Sequence, residues 1–75
     1  MDEQTIAKRL VALRGGKSQK KVAEDLGISV SAIGMYETGA RIPKDDIKVK
    51  IARYYGKSVE EMFYGSSLSE KSENE

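Results

Sequence analysis

The chain has 75 residues, a formal net charge of +1, and neither cysteine nor histidine. Disulfides and thiolate metal sites are thereby excluded, and the commonest metal ligand and general base are missing. No apolar run approaches the roughly 18 residues of a membrane span, and no apolar stretch follows the acidic start Met1-Asp2-Glu3-Gln4, so one small, soluble, cytoplasmic domain is expected.

The apolar periodicity is helical almost throughout, and no stretch alternates cleanly enough for a strand, so the chain reads as all-α. Asp2 suits the cap of a first helix whose stripe is Ile6, Leu10 and Leu13, with Ala7 beside them, and Gly15-Gly16 stop it. Ser18 caps a second helix with Val22, Ala23 and Leu26 inward, and Gly27 ends it. Ser29 opens a third, with Ile33 and Tyr36 inward and Gly39 at its end. After the connector Ala40-Arg41-Ile42-Pro43, a fourth helix carries Ile47, Ile51 and Tyr54, with Asp45 and Asp46 in its first turn and Gly56 closing it. Ser58-Val59-Glu60-Glu61 is a capping box for a short fifth helix with Val59, Met62 and Phe63 inward and Gly65 at its end. Residues 66–75 have almost nothing to bury and read as a disordered acidic tail, which leaves residues 1–65 as the domain.

Catalytic patterns fail on inspection. The Gly-Lys-Ser triplets at 16–18 and 56–58 lack the earlier glycine of a phosphate loop, because Val11 and Ile51 stand there. The adjacent carboxylates Asp45-Asp46 and Glu60-Glu61 point apart on a helix and make no dyad or metal site. Tyr54 reads as core and Tyr55 as partly exposed. No catalytic residue, metal, cofactor or small-molecule effector is expected, and the chain is not read as an enzyme.

Charge distribution says more than its sum. Between Arg14 and Lys57 ten Lys and Arg face five Asp and Glu, whereas residues 66–75 hold Lys71 against Glu70, Glu73 and Glu75. Helices two and three, joined at Gly27-Ile28, form a helix-turn-helix candidate. Small Ala23 permits a close crossing that Ile33 plugs. With Ile33 and Tyr36 inward, helical spacing puts Val30, Ser31, Gly34, Met35 and Thr38 outward. This set is uncharged and mostly small, where a solvated helix face normally carries Lys and Glu. Lys17, Lys20 and Lys21 flank it on one side and Arg41 and Lys44 on the other. An uncharged face with basic edges suits a major groove, where cations hold phosphates and small side chains reach base edges.

The pattern Ser18-Gln19-x-x-Val22-Ala23-x-x-Leu26-Gly27-Ile28-Ser29-x-Ser31-x-Ile33-x-Met35-Tyr36-Glu37-x-Gly39-x-Arg41-x-Pro43, continued in Ile51-Ala52-x-Tyr54-Tyr55-Gly56-x-Ser58-Val59-Glu60-Glu61-Met62-Phe63, resembles the Cro/CI-type helix-turn-helix repressors, the XRE family. The resemblance implies a compact five-helix lambda-repressor-like DNA-binding domain, with the third helix in the major groove. It implies base readout by Val30, Ser31 and Met35, with Gly34 between them, and Gln19 clamping a phosphate and reaching an outer base. Ser29, Arg41 and Lys44 match positions near the sugar-phosphate backbone, and Lys17 and Thr38 are placed with them. Glu37 matches an acidic residue that pairs with an arginine of helix one, here Arg14.

This chain departs from the family pattern at three points. Lys17 stands where a leucine often packs, in a short connector. Asp45 and Asp46 sit where the fourth helix turns its N-terminus toward phosphate. The reading face holds no Gln or Arg, so Val30 and Met35 offer only apolar contact, most naturally to thymine methyls. The expectation is a small transcriptional repressor, bacterial or phage-encoded, that binds double-stranded DNA as a homodimer on a near-palindrome. The alternative is a protein-interaction module, an antitoxin or an antagonist of a related repressor, with DNA binding secondary. For a dimer surface the candidates are Met62, Phe63, Tyr64 and Leu68. Tyr64 is preferred, because Met62 and Phe63 also suit the core.

Overall fold

The structure, a computed structural model, describes residues 2–64; the expected acidic tail, Leu68 and the helix stop at Gly65 lie outside the described residues. Four α-helices and one wide π-helical turn follow in order: α1 Glu3–Arg14, α2 Gln19–Leu26, α3 Val30–Thr38, α4 Asp45–Tyr54, and the turn Glu60–Tyr64. No strand occurs among the described residues.

Local capping chemistry sets most of the boundaries. Asp2, Ser18 and Ser29 each accept a backbone N–H with their side chains, from Gln4, Lys21 and Ala32. An uncapped helix start leaves such donors without an intrahelical partner. Gly27 and Gly39 take left-handed conformations, at φ 72° and 83°, and their N–H groups close α2 and α3. At Gly39 the positive φ favours glycine, and a Cβ there would have to push the Gln4 amide aside. That amide donates to the Thr38 carbonyl at 3.3 Å, so the start of α1 seals the end of α3.

α1 and α2 both pack against α3. The core holds Ile6, Leu10, Val22, Ala23, Leu26, Ile33, Tyr36, Ile51, Ala52, Met62 and Phe63. Leu13, Ile47 and Val59, expected inside, are only half-buried at its edge. Tyr54 is likewise half-buried rather than core. Its ring carries a hydroxyl that needs polar partners, and it finds them at the surface in Asp25 and Lys17. α4 stops at Tyr54, two residues before Gly56.

The fifth helix is a π turn rather than an α-helix. Its start is the capping box read from sequence: the Glu61 N–H donates to Ser58 Oγ at 3.0 Å and the Ser58 N–H to Glu61 Oε1 at 2.9 Å. The Ser58 N–H, and after it the Ser58 hydroxyl, hold the Glu61 carboxyl below its ordinary range. Arg9 donates to the Glu61 and Met62 carbonyls at 3.1 and 2.8 Å, which ties the turn to α1. Ser58→Ala is expected to cost about 1 kcal/mol in urea unfolding, the usual loss for a serine cap.

Lys48 is the unexpected interior residue, at 9% exposure. Its ion pair, with Asp45 one turn before it, is long. The ammonium donates to the Tyr64 hydroxyl at 2.7 Å and lies 4.8 Å from the Tyr64 ring centre and 5.7 Å from that of Phe63. Asp45 stands 3.8 Å away and is itself exposed. Aromatic faces and one phenol replace water around this cation.

Candidate nucleic-acid interface

The turn at Gly27-Ile28 sets α3 across α2, with Ala23 buried at the crossing and Ile33 plugging it. Ile28 N–H returns to the Ala23 carbonyl at 3.0 Å, which locks the turn. At 100° per residue, positions 30, 31, 34, 35 and 38 fall within an arc of about 140°. Burial follows that arc. Val30, Ser31 and Thr38 are exposed, Gly34 and Met35 are half-covered, and Ile33 and Tyr36 are buried.

The face is open and uncharged. Val30 leaves 44% of its surface to solvent. Nothing lies within 4 Å of where a Gly34 Cβ would stand, so a shallow notch separates Val30 from Met35. Thr38 returns its hydroxyl proton to the Met35 carbonyl at 3.3 Å. Ser29 caps the helix with its oxygen and keeps its own hydroxyl proton for an outside acceptor.

Glu37 is nearly enclosed, its side chain 6% exposed, and it gathers the polar residues at the far end of α3. Arg14 Nε donates to one carboxylate oxygen at 2.8 Å and Gln19 Nε2 to the other at 2.9 Å. The bond from Glu37 raises the Arg14 guanidinium further above its ordinary value. Burial, then the Glu37 charge, pushes the neighbouring Tyr55 phenol up. Since a carboxylate only accepts, Gln19 must turn its amide nitrogen inward. Gln19 therefore sits at the C-terminal end of α3, about 10 Å along the helix from Val30.

Of the basic flank, Arg41 and Lys44 are exposed and border an open groove floored by Tyr36, Ile42 and Ile47. Asp45 and Asp46 are exposed in the first turn of α4, which lacks a side-chain cap. Lys17 has found another partner. It donates to the Tyr54 hydroxyl at 3.1 Å and lies 4.6 Å from the centre of that ring. Tyr54 in turn donates to Asp25 at 2.6 Å, and Lys21 pairs with the same carboxylate at 3.1 Å.

The domain thus presents, on its second and third helices, one uncharged helix face between basic edges. The family model described as helix-turn-helix matches residues 6–62, most of the chain. The chain belongs to the XRE helix-turn-helix family. It is a DNA-binding transcription regulator of that type. No curated protein and no solved structure gives a significant match. In this XRE protein no helix among the described residues is long and apolar enough to cross a membrane. Nor do the described residues contain three or more acidic side chains grouped to hold a metal ion.

The sequence does not announce the cluster of Lys17, Lys21, Asp25 and Tyr54. Only the i, i+4 spacing of Lys21 and Asp25 is visible there. The Tyr54 hydroxyl, and after it Lys21, hold the Asp25 carboxyl below its ordinary value of 3.8. A depressed carboxylate contributes stability that is complete above its unfolded pKa and is lost as pH falls through the folded one. Asp25→Asn is therefore expected to lower the urea midpoint at pH 7, with the deficit shrinking as the pH drops below 3.8.

Proposed function

We propose that this chain is a small transcriptional repressor that lays α3 in the major groove of double-stranded DNA. The observation that carries the reading is the exposed face of Val30, Ser31, Gly34 and Met35, free of charge and open above Gly34. Lys or Glu at these positions would be ordinary on a solvated helix and obstructive in a groove. Arg41, Lys44 and the Ser29 hydroxyl serve the flanking phosphates, Thr38 stands beside them, and Gln19 serves an outer contact from the far end of the helix. Lys17 contributes to the phosphate edge only by releasing Tyr54, so its share is the smallest.

One such face makes few contacts, so the protein acts as a homodimer on a near-palindrome with half-sites about 34 Å apart or a multiple of it. Tyr64, 52% exposed, is the best-placed residue for the dimer surface, because Met62 and Phe63 are committed to the core. Repression follows from occupying a site that polymerase needs. Titration of the promoter DNA of its own gene at several salt concentrations tests the reading. A sequence-selective complex weakening steeply with salt supports it, and its absence at every concentration overturns it.

A further inference from the structure

One cation of the phosphate edge is tied down at both ends. Arg14 spans two acceptors: its Nε donates to Glu37 near the C-terminal end of α3, and its Nη1 donates to the Lys17 carbonyl at 2.7 Å. A single guanidinium thus fixes the Lys17 main chain beside that end of α3. The Lys17 side chain is exposed, and its ammonium is committed to α4. It donates to the Tyr54 hydroxyl at 3.1 Å and lies 4.6 Å from the ring centre. An ammonium leaves an ordinary phenol easily, but this phenol is a strengthened acceptor. Tyr54 gives its own proton to the Asp25 carboxylate at 2.6 Å, a short charge-assisted bond. That donation leaves more negative charge on the oxygen that Lys17 faces. Lys21 pairs with the same carboxylate at 3.1 Å and steadies it from within α2.

Resting on the α3-in-groove reading above, we propose that Tyr54 is a positioning residue that restrains DNA binding: backed by Asp25, it holds Lys17 off the phosphate edge. On DNA the ammonium exchanges the phenol for a phosphate, and the cost of leaving Tyr54 is subtracted from the affinity. Phosphates carry no sequence, so the restraint weakens binding to all duplexes alike and leaves the choice between sequences unchanged.

Tyr54→Phe is the direct test, because it keeps the ring and the net charge and removes only the hydroxyl. The full chain, Tyr54→Phe, Lys17→Ala and the double variant are titrated with a random-sequence duplex over a range of salt, each shown to be folded by circular dichroism. Tyr54→Phe is expected to bind tighter, with a log–log salt slope steeper by about 0.9, the value of one added phosphate contact. Its advantage over the wild type is then about 3.5 times larger at about 50 mM salt than at about 200 mM. Adding Lys17→Ala to Tyr54→Phe removes both the gain and the extra slope. A tyrosine with a merely structural role would change the folded fraction and leave the salt slope of the folded protein alone. Should Tyr54→Phe not fold, Asp25→Asn makes the same comparison, since it removes the charge that strengthens the phenol, and the steepening that depends on Lys17 is read there. An unchanged slope in the folded variant, or a steepening that survives Lys17→Ala, overturns the restraint while DNA reading stands. If the folded wild type forms no salt-dependent complex at any concentration, the α3-in-groove reading itself falls and the restraint falls with it.

Discussion

Replacing Gly34 with glutamate is expected to abolish selective DNA binding while making the domain slightly more stable. Both halves follow from one position. Gly34 lies inside α3, where glycine costs about 0.5–1 kcal/mol against an ordinary helix former. Its Cβ direction is open, so an added Cβ crowds no neighbouring element. The melting temperature should rise by a few degrees. Against DNA the same side chain fills the notch between Val30 and Met35 and brings a carboxylate toward the phosphates. Like charges at an interface cost several kcal/mol, so an affinity loss of a hundredfold or more is expected by titration. Gly34→Ala separates the two effects: it gains the stability and keeps most of the affinity. A Gly34→Glu protein that binds like the wild type would mean that α3 does not face the groove along this arc.

Phe63→Ala is expected to have the largest effect on stability. Phe63 is fully buried, and among the described residues no other fully buried side chain is as large. Truncating such a residue costs about 3–5 kcal/mol, part lost transfer energy and part cavity. A domain of this size has only about 4–11 kcal/mol in total, so the variant should be largely or nearly unfolded at 37 °C. The effect reaches the interface indirectly. The π turn that carries Phe63 is bound to α1 through Arg9, and α1 seals the end of α3 through Gln4. A urea-unfolding loss under about 1.5 kcal/mol would show that the turn is peripheral to the core.

The two predictions draw on features that differ in how visible they are in the sequence. The helix starts at Ser18 and Ser29, the turn at Gly27 and the capping box at Ser58 were all legible, because each is a local interaction over five residues or fewer. The inward sets Val22-Ala23-Leu26 and Ile33-Tyr36 were legible for a similar reason: helical spacing alone sorts them. The uncharged arc of α3 follows by subtraction. What escaped were long side chains with polar tips, whose partners come from other elements. Lys48 is buried against Tyr64 and Phe63, which lie 16 and 15 residues away, and Tyr54 leaves the core to reach Asp25, 29 residues back. Such side chains place an apolar stem and a polar head in different surroundings, and spacing along one helix does not record which neighbour receives the head. Gln4 belongs to the same class. It reads as an unremarkable first-turn residue, yet its amide fills the space beside Gly39 and donates to the Thr38 carbonyl. The wide geometry of the last turn was hidden too, since Glu60-Glu61-Met62-Phe63 carries an ordinary capping box and nothing local that marks a π turn.

The central claim is that one uncharged helix face between basic edges reads DNA sequence. Selection of bound duplexes from a random pool tests it most directly. The account predicts an enriched near-palindrome with half-sites one helical turn apart or a multiple of it. The complex should weaken steeply with salt and be lost in Gly34→Glu. Enrichment of no sequence by the folded protein, or an enriched site that Gly34→Glu binds equally well, would contradict it.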